Sequence, residues 1–462
     1  MRRLGPALLL LFVFSCVCSV SHASPGLDVR RRVLPSGLTL LHVERDNLPV
    51  VRVNLLIRSG AMREPAELAG LASLTASLLT EGTRARSSTD ISREVEFMGA
   101  SLSASAGDDF STVSLSVLKK DLDKGFSLLA DILLNPTFPR KEISRKKEQV
   151  RGALRQKRED PGYLASVKFS ELVYGSHPYG RQVSGTEESI GRIGRGDVRG
   201  FYREHYVPNN AILSVVGMVS EDELSELIER HLSGWMPMPV PEADIQAPAS
   251  AAPGLRTVDR DLTQATIILG HLGVERSHPD YYALQVMNYI LGGGGFSSRM
   301  MDRLRDQMGL TYGVYSSFSS SLEAGSFVVS MKTRNSAAPD AIDEIKKLIR
   351  AMRDEGATAH ELSGAKAYLT GSFPRRIDTM AEISSFLAAV EFYGLGLDYP
   401  ERYAERINAV TLDEVKRVAR EHLREEDLIT VVVAKLAEAG VADTSPSGPG
   451  EAPSGDGKSS NE

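Results

Sequence analysis

Two segments of this chain, one near the end of each half, repeat one another. Residues 190–216 and residues 407–433 each read as a short helix followed by an apolar β-strand. The aligned positions share one spacing along the chain, so that Ile190 corresponds to Ile407 and His205 to His422. A repeat of this length predicts two similar domains in tandem and excludes a solenoid of many short units.

The length of 462 residues suits two domains of roughly 200 residues each. We expect these domains at residues 24–236 and 255–436. A linker enriched in Pro, Ala and Ser joins them at residues 237–254, where proline stiffens an extended backbone. Residues 437–462 are rich in Gly, Pro, Ser and acidic side chains with little to bury, which predicts a disordered tail.

The composition excludes two classes of protein. A hydrophobic content of 42% and a charged content of 25% are those of a globular domain rather than of a disordered or membrane-embedded chain. The formal net charge is -6, and no basic stripe is available to follow a phosphate backbone. Nucleic acid is therefore not an expected partner.

The first 23 residues are typical of a secretion signal. Arg2 and Arg3 precede an apolar stretch at residues 4–20, and Ser21-His22-Ala23 suits a signal peptidase. The apolar run is short for a membrane span, so no stable span is expected. Twin-arginine export is an alternative use of the two arginines. A periplasmic location follows from either route.

Both cysteines of the chain, Cys16 and Cys18, lie inside this signal. Cleavage therefore leaves a mature protein without disulfides and without thiolate metal ligands. An imperfect lipobox at residues 13–16 is the alternative, because it would leave a lipid anchor on Cys16. The bulky Phe14 departs from that motif.

Each half is predicted to be α+β. Strands are predicted at residues 37–43, 50–58, 101–106, 111–118, 265–270, 313–319 and 325–333, and helices at residues 65–79, 121–134, 140–157, 278–291 and 340–354.

Residues 70–83 resemble the zinc-binding helix of the M16 (pitrilysin-type) metallopeptidases. In that family the helix carries His-x-x-Glu-His, whose members share a helix face, so that two imidazoles reach one zinc ion while the glutamate activates its water. Here the two histidine positions fall on Ser73 and Ser77, and the glutamate position falls on Ala76. The resemblance therefore implies that this chain binds no zinc at this helix.

Family members supply one more glutamate from a later helix, and the corresponding positions here are Gly152 and Ala153. The nine histidines are scattered, and no two lie within five residues of each other. Because ligating histidines usually come in closely spaced pairs, an unconventional metal site elsewhere is the less favoured alternative.

Residues 304–316 resemble the Arg/Tyr motif in the second half of M16 enzymes, with Arg305 and Tyr312 at the family's spacing. The pattern predicts a helix at residues 297–308, Gly309 as its C-cap and a strand from Leu310 onward. A phenol and a guanidinium that converge can stabilise the negative charge on a peptide carbonyl attacked by zinc-bound water. The alternative is structural: a helix-end arginine and a tyrosine packed in the core.

Just before this motif stand Gly292, Gly293, Gly294 and Gly295. They are not a phosphate loop, because no Gly-Lys-Ser/Thr follows. M16 proteins have a glycine-rich loop here, which in the non-catalytic subunit of mitochondrial processing peptidase is linked to substrate handling. The resemblance thus implies substrate binding, and a flexible helix junction is the equal alternative.

The resemblance extends from about Val33 to Ala434 and includes the segments Asp160-Pro161, residues 177–180 and residues 206–210. The fold that it implies is a tandem duplication of two α+β domains, each a mixed β-sheet with helices packed on one side, as in LuxS and mitochondrial processing peptidase. In the family, paired subunits close like a clamshell around a chamber.

The zinc-binding positions have lost their ligands, whereas the Arg/Tyr motif is retained. This combination predicts that the catalytic groups are shared between two subunits. The chain is expected to be the non-zinc subunit of a two-component periplasmic peptidase, contributing Arg305 and Tyr312. An M16 partner with an intact His-x-x-Glu-His motif would bring the zinc, and the substrates would be peptides or unfolded proteins. The alternatives are an inactive structural or chaperone-like homologue and a self-sufficient hydrolase.

Overall fold

Two β-sheets form the frame of the computed structural model, which describes residues 27–242, 245–249 and 252–444. The expected signal at residues 1–23, with Cys16, lies outside these residues. The strands are β1 Arg30–Val33, β2 Thr39–Glu44, β3 Val50–Ile57, β4 Ser101–Ala106, β5 Ser111–Leu118, β6 Ala211–Gly217, β7 Gly254–Asp259, β8 Gln264–Leu272, β9 Val314–Phe318, β10 Ser326–Arg334 and β11 Ile429–Ala434.

The two sheets have the same topology. The first has the order β1-β2-β6-β3-β5-β4 and the second β7-β11-β8-β10-β9, which matches the first once β1 is set aside. Both are mixed: β2 runs parallel to β6 and β7 parallel to β11, whereas the other pairs are antiparallel. The predicted α+β fold with two similar halves is confirmed.

Helices cover the sheets. They are α1 Leu71–Leu78, α2 Ser88–Phe97, α3 Leu122–Leu134, α4 Arg140–Lys157, α5 Pro161–Tyr174, α6 Glu187–Arg192, α7 Arg195–His205, α8 Glu221–Leu232, α9 Tyr281–Asn288, α10 Ala338–Glu355, α11 Ala359–Ser372, α12 Met380–Phe392, α13 Tyr399–Ala409, α14 Leu412–His422 and α15 Leu436–Ala439. Within the described residues, no helix has both the length and the apolar character that a membrane span requires.

Each half has a core between its own sheet and its own helices. In β3, Val51, Val53 and Leu55 are fully buried and pack with the apolar side chains of α1 and α3. Because side chains alternate along a strand, the intervening residues of β3 face the opposite side of the sheet. In the second half, Ile267 and Leu269 of β8 occupy the equivalent core positions.

The opposite face of each sheet is covered by a helix from the other half. Helix α5, from the first half, packs on the second sheet, where Ala165, Phe169 and Val173 bury Ile268 and Val431. Phe169 lies against Gly270 of β8, where a Cβ would come within 3.0 Å of the phenylalanine ring. The second sheet is therefore completed by the first half of the chain.

Helix α12, from the second half, packs on the open face of the first sheet, where it contacts β3 and β6. Leu56, Ile212 and Val216 of that sheet belong to one buried apolar cluster with Leu387 and Ala388 of α12. The two halves thus exchange one helix each, and neither sheet is covered on both faces by its own half alone.

A buried carboxylate also joins the halves. Asp109 precedes β5 and accepts hydrogen bonds from the hydroxyl of Tyr179, from the hydroxyl of Tyr393 at 3.3 Å and from the backbone N–H of Leu322 at 3.2 Å. Tyr393 and Leu322 belong to the second half. Because a buried acceptor without partners costs about 1–3 kcal/mol, this contact favours one fixed arrangement of the halves.

The ordered fold continues past residue 437, where the disordered tail was expected to begin. Ala439 of α15 is fully buried, and Thr444 exchanges hydrogen bonds with Leu255 of β7. Residues 445–462 lie outside the described part of the chain. The expectation of disorder is therefore wrong for residues 437–444, because their apolar side chains find a surface to cover.

The exchange of helices predicts a large effect of Phe169→Ala. This side chain is 4% exposed, so its removal should lower the free energy of unfolding by about 3–5 kcal/mol. Urea denaturation of the full chain measures it. Phe97→Ala is the matched control, because Phe97 is 86% exposed and its loss should change the same quantity by less than about 0.5 kcal/mol. Equal effects of the two substitutions would contradict the packing role of α5.

Candidate functional site

Helix α1 carries hydroxyls and a methyl group at the three positions where the resemblance places zinc chemistry. Ser73 and Ser77 are partly exposed, whereas Ala76 is fully buried. The Ser77 hydroxyl donates to the carbonyl oxygen of Leu74, 2.9 Å away. Without an imidazole or a carboxylate, these positions do not fit a zinc ion. Ala76 is also buried, unlike Ser73 and Ser77, so the three positions are not equally accessible to a ligand.

The two positions of the neighbouring helix α4 that correspond to the family's further glutamate carry no acidic side chain either. Gly152 and Ala153 are exposed, and a Cβ at Gly152 would have nothing within 4 Å. The nearby carboxylate of Glu81 is bound to Arg145 and, at 2.8 Å, to Lys146. Burial opposes its ionisation, but these hydrogen bonds outweigh burial and hold the pKa of Glu81 below its usual range.

Helix α1 begins at Leu71, later than the predicted start at Pro65. Gly70 adopts a left-handed conformation with φ of 97°, which interrupts the helical path. The buried carboxylate of Glu64 then accepts the backbone N–H groups of Gly70 and Ala72, each at 2.8 Å. Glu64 therefore caps the helix from a distance in sequence, which no local capping pattern indicates.

Burial dominates the ionisation of Glu64 and raises its pKa to about 7, although the hydrogen bonds from Ala72 and Gly70 act in the opposite direction. Arg181 supplies the nearby positive charge, and its guanidinium contacts the Glu64 backbone oxygen at 3.4 Å. The start of α1 is thus held by a buried carboxyl group whose oxygens accept from surrounding N–H donors.

The helix before β9 ends as predicted. Its last part is a π-helix at Met301–Gln307, and Gly309 follows with φ of 61°. The Gly309 N–H donates to the Arg305 carbonyl at 3.1 Å, and the Leu310 N–H donates to the Leu304 carbonyl at 2.8 Å. The bond from the left-handed Gly309 to the carbonyl four residues earlier is that of an αL-type C-cap.

Tyr312 lies in a connection rather than in a strand. Strand β9 begins at Val314, so the predicted strand from Leu310 is wrong for its first four residues. The Thr311 hydroxyl holds this connection, because it contacts the Gly313 N–H at 3.0 Å and the Lys332 carbonyl at 2.7 Å. The Tyr312 side chain is 92% exposed, which rules out the interpretation of this residue as a core tyrosine.

Arg305 and Tyr312 do not contact each other through a hydrogen bond in the described structure. The Arg305 guanidinium donates to Asp306 at 2.7 Å and lies 4.8 Å from the centre of the Phe296 ring. Tyr312 lines a groove of about 510 Å³ together with Tyr315. The predicted convergence of the two side chains on one point stays a prediction.

The internal repeat shows that the fold itself does not require either side chain. One spacing along the chain superimposes α1 of the first half on α9 of the second. The same spacing pairs Gly99 with Gly309, and both glycines are left-handed. At this spacing Arg305 corresponds to Val95 and Tyr312 to Leu102. The same helix end and edge strand therefore form without a guanidinium or a phenol.

Comparison with known proteins assigns the family. Residues 41–187 match the family profile described as Insulinase (Peptidase family M16), and residues 192–369 match the one described as Peptidase M16 inactive domain. The chain belongs to the M16 peptidase family. A crystal structure described as a peptidase M16 inactive domain, from Pseudomonas fluorescens, has a TM-score of 0.83 at 29% identity and covers 88% of this chain and 98% of its own.

M16 relatives of this chain have names of two kinds. A protein from Mycobacterium leprae, named an uncharacterized zinc protease, is 27% identical over 410 residues, which are 87% of this chain and 91% of that protein. A protein from Helicobacter pylori, named a non-peptidase homolog, is 26% identical over 398 residues, with coverage of 86% and 91%.

The four glycines of this M16 chain lie at a tightly packed junction. Gly292 and Gly293 end a π-helix, Tyr289–Gly293. A Cβ on Gly292 would come 2.5 Å from the Ser316 hydroxyl, one on Gly293 2.7 Å from the Asn288 amide nitrogen, and one on Gly294 2.6 Å from the Tyr289 carbonyl. Gly295 adopts a left-handed conformation, and the exposed Phe296 follows it in the chain. Close packing accounts for the first three glycines, and their role in substrate binding stays a prediction.

Within the described residues, one cluster brings together three side chains of metal-ligating type: His278, Asp280 and His422. Both Asp280 oxygens already accept from Arg417, at 2.6 and 3.0 Å, and this interaction above all lowers the Asp280 pKa to about 2. The His278 Nδ1 accepts the Asp280 N–H at 3.1 Å. With its carboxylate neutralised by a guanidinium, the cluster fits an ion-pair network better than a metal. Spacing does not reveal this cluster, because His422 lies far along the chain from His278 and Asp280.

The burial of Glu64 predicts a specific pH dependence. The unfolded chain loses this proton near pH 4.5 and the folded chain near pH 7, so the folded state holds more protons between these values and stability falls as pH rises. The free energy of unfolding, relative to that of Glu64→Gln, should therefore decrease by about 3 kcal/mol over this interval. Urea titrations at several pH values measure it, with the exposed Glu67→Gln as control. A difference independent of pH would refute the assignment.

The packing of Gly292 predicts that Gly292→Ala lowers the free energy of unfolding by about 1–3 kcal/mol, because the added methyl group overlaps Ser316 and Met300. Gly152→Ala is the control, since it adds a methyl group to an exposed helical position with open space around it. That substitution should raise the same quantity by about 0.5–1 kcal/mol. Chemical denaturation compares both variants, and a shift of the same sign in both would count against a packing role for Gly292.

Proposed function

We propose that this chain is the non-zinc subunit of a two-component M16 peptidase that cleaves peptides or unfolded proteins. An M16 partner with an intact His-x-x-Glu-His motif brings the zinc ion and the general base. The observation that carries the proposal is the position of Tyr312, which is 92% exposed on a connection held in place by hydrogen bonds. An exposed phenol on a fixed backbone is accessible to a substrate or a partner subunit.

Three aromatic side chains near the second edge strand support a binding role. We call Phe296, Tyr312 and Tyr315 the aromatic edge; their exposed fractions are 71%, 92% and 54%. Tyr312 and Tyr315 line one groove, and Phe296 lies beside Arg305 of the same motif. Neighbouring exposed aromatic groups are typical of protein or ligand contacts. They are therefore the surface where we expect a substrate or the zinc subunit to lie.

Arg305 is well placed to act in such a complex. Its ion pair with Asp306 is solvent-exposed, with side-chain exposures of 37% and 48%, and pairs of this kind contribute about 0–1 kcal/mol. The guanidinium can therefore leave Asp306 for a developing oxyanion at little cost. Tyr312 can donate its phenolic hydrogen to the same oxygen, as the chemistry of a tetrahedral intermediate requires.

The sheets offer a way to hold an extended polypeptide. Strand β4 lies at the edge of the first sheet, beside α1, and β9 lies at the edge of the second. Each edge leaves backbone N–H and C=O groups without a strand partner, and extended peptides bind such edges. Strand β4 reads Ser-Leu-Ser-Ala-Ser-Ala, so it leaves room for substrate side chains.

A structural or chaperone-like role without any part in hydrolysis is the second candidate. The name of the Helicobacter pylori relative, a non-peptidase homolog, favours it. In that case the aromatic edge binds polypeptide or partner, and Arg305 and Tyr312 stabilise no transition state. The two candidates differ in what conservative substitutions at these two positions do to peptide hydrolysis.

The periplasm is the proposed location, and it is supported by the signal-like pattern of residues 1–23. A lipid anchor on Cys16 is the alternative. Either route exports the chain, so its zinc partner would have to be exported as well.

The proposal predicts that this chain and the zinc subunit hydrolyse a peptide together and that neither does so alone. Tyr312→Phe and Arg305→Ala should each lower kcat/KM of the mixture on the order of 100-fold, because each removes one donor to the oxyanion. Tyr315→Phe is the matched control, since it removes a hydroxyl from the same groove and should leave kcat/KM within about twofold.

Co-purification of each variant with the zinc subunit separates loss of catalysis from loss of assembly. Full activity of the zinc subunit by itself would refute the proposal. Unchanged hydrolysis by the Tyr312→Phe and Arg305→Ala complexes would favour the structural role.

A further inference from the structure

The second half contains a cavity of about 540 Å³ that is lined by four arginines. It lies between the start of α9, the connection after α12, and helices α13 and α14. The arginines are Arg276, Arg402, Arg406 and Arg417. The chain as a whole has a net charge of -6, so this local concentration of positive charge is opposite in sign to the charge of the whole protein.

Two of these arginines have no carboxylate partner. Arg417 binds Asp280, and Arg402 binds Asp398 at 2.7 Å. In the described chain, no carboxylate oxygen lies within 4.0 Å of the guanidinium of Arg276 or of Arg406. Both therefore face the cavity with uncompensated positive charge.

Tyrosines hold these two guanidinium groups instead. Arg276 donates to the Tyr399 hydroxyl at 2.8 Å and lies 3.7 Å from the centre of the Tyr281 ring. Arg406 donates to the Tyr282 hydroxyl at 3.0 Å. Each guanidinium has five N–H donors, so most of them remain free for a ligand. Aromatic bracing fixes the position of the charge without neutralising it.

A third arginine has a buried donor with no acceptor. The Nε of Arg402 is shielded from solvent and makes no hydrogen bond in the described structure. Because solvent does not reach this atom, a ligand in the cavity does not reach it either, and the Nη2 group already donates to Asp398 at 2.7 Å. The unused donors that a ligand can reach therefore belong to Arg276 and Arg406.

The internal repeat shows that these cations are not needed for folding. At the spacing that aligns His205 with His422, Arg402 corresponds to Gly185, Arg406 to Ser189 and Arg417 to Gly200. Gly185 and Ser189 line a cavity at the equivalent place in the first half. That cavity has cations of its own, among them Arg158, Arg181 and Arg192, but small residues at the aligned positions. The architecture therefore does not require an arginine at these positions.

We propose that this cavity binds a carboxylate, supplied either by a free dicarboxylate or by an acidic side chain of a peptide. A planar carboxylate matches the paired N–H groups of a guanidinium. The wall also contains Asp280 and Glu414, each with its charge already engaged, Asp280 by Arg417 and Glu414 by the cap of α14. Each carboxylate carries a single charge, so near these acidic groups it meets less repulsion than a phosphate dianion does, and the second charge of a dicarboxylate lies on a separate group. The site does not depend on proteolysis by the complex.

Isothermal titration of the full mature chain at low ionic strength tests the site. The probes are succinate and a matched pair of blocked tripeptides, Ala-Glu-Ala and Ala-Gln-Ala. The glutamyl peptide should bind at least about tenfold more tightly than the glutaminyl peptide, because only the former has the charge. Succinate binding without peptide binding would support a free dicarboxylate, and binding of both would support either source.

Arg406→Gln should weaken binding of the charged probes by about tenfold, since it removes one charge-assisted contact at an exposed position that packing does not need. Arg375→Gln is the control, with the same change of charge at an exposed arginine outside the cavity. Arg276→Lys provides a second variant that keeps the charge but loses the paired donors, and it should also weaken binding. Equal binding of the two peptides, no binding of any probe, or equal losses in Arg406→Gln and Arg375→Gln would overturn the proposal.

Discussion

The exchange of α5 and α12 between the two halves is the contact on which the rest of this structure depends. Each helix buries the open face of the other half's sheet, and the apolar cluster around α12 joins side chains from both sheets. Burial of apolar surface is the largest favourable contribution to folding. Because the exchange is reciprocal, the two sheets hold each other in one arrangement, and Asp109 adds a polar contact between the halves.

This frame explains how α1 can lose zinc-binding residues without losing its place. Leu71, Leu74 and Leu78 anchor the helix in the core, and Glu64 holds its first turn. None of these contacts involves Ser73 or Ser77. The core-facing leucines and the former ligand positions are different residues of the helix. The ligand positions can therefore be substituted while the leucines keep the helix packed. The same separation operates at the end of the helix before β9, where Val95 and Arg305 occupy equivalent positions.

Much of the fold could be predicted from the sequence, since strand alternation and repeated helix–strand segments are local patterns. Strands β4 and β5 and helix α4 have the predicted bounds. Helices α5 and α12 were not predicted, because each lies between a foreign sheet and other elements and its apolar residues do not form one stripe. The start of α1 depends on a carboxylate six residues before Gly70, a tertiary contact that periodicity does not show.

The candidate site was also predicted only in part, because the contacts that fix its residues come from distant parts of the chain. Motif spacing identified Arg305, the cap at Gly309 and the exposed Tyr312, but not the partners that fix them. Thr311 holds the connection through Lys332, a residue of another strand. The arginine-lined cavity draws its residues from α9, α13 and α14, which lie far apart in the chain. Such juxtapositions follow from the topology of the duplicated sheet rather than from any local pattern.

The exchange of α5 and α12 changes what the linker between the halves is needed for. A linker usually keeps two domains from diffusing apart. Here a single cut between residues 237 and 254 would leave two fragments that remain interlocked, each with its own helix seated on the other's sheet. Covalent continuity therefore ensures that the halves are made in equal number and meet quickly, whereas their cohesion is a property of the fold.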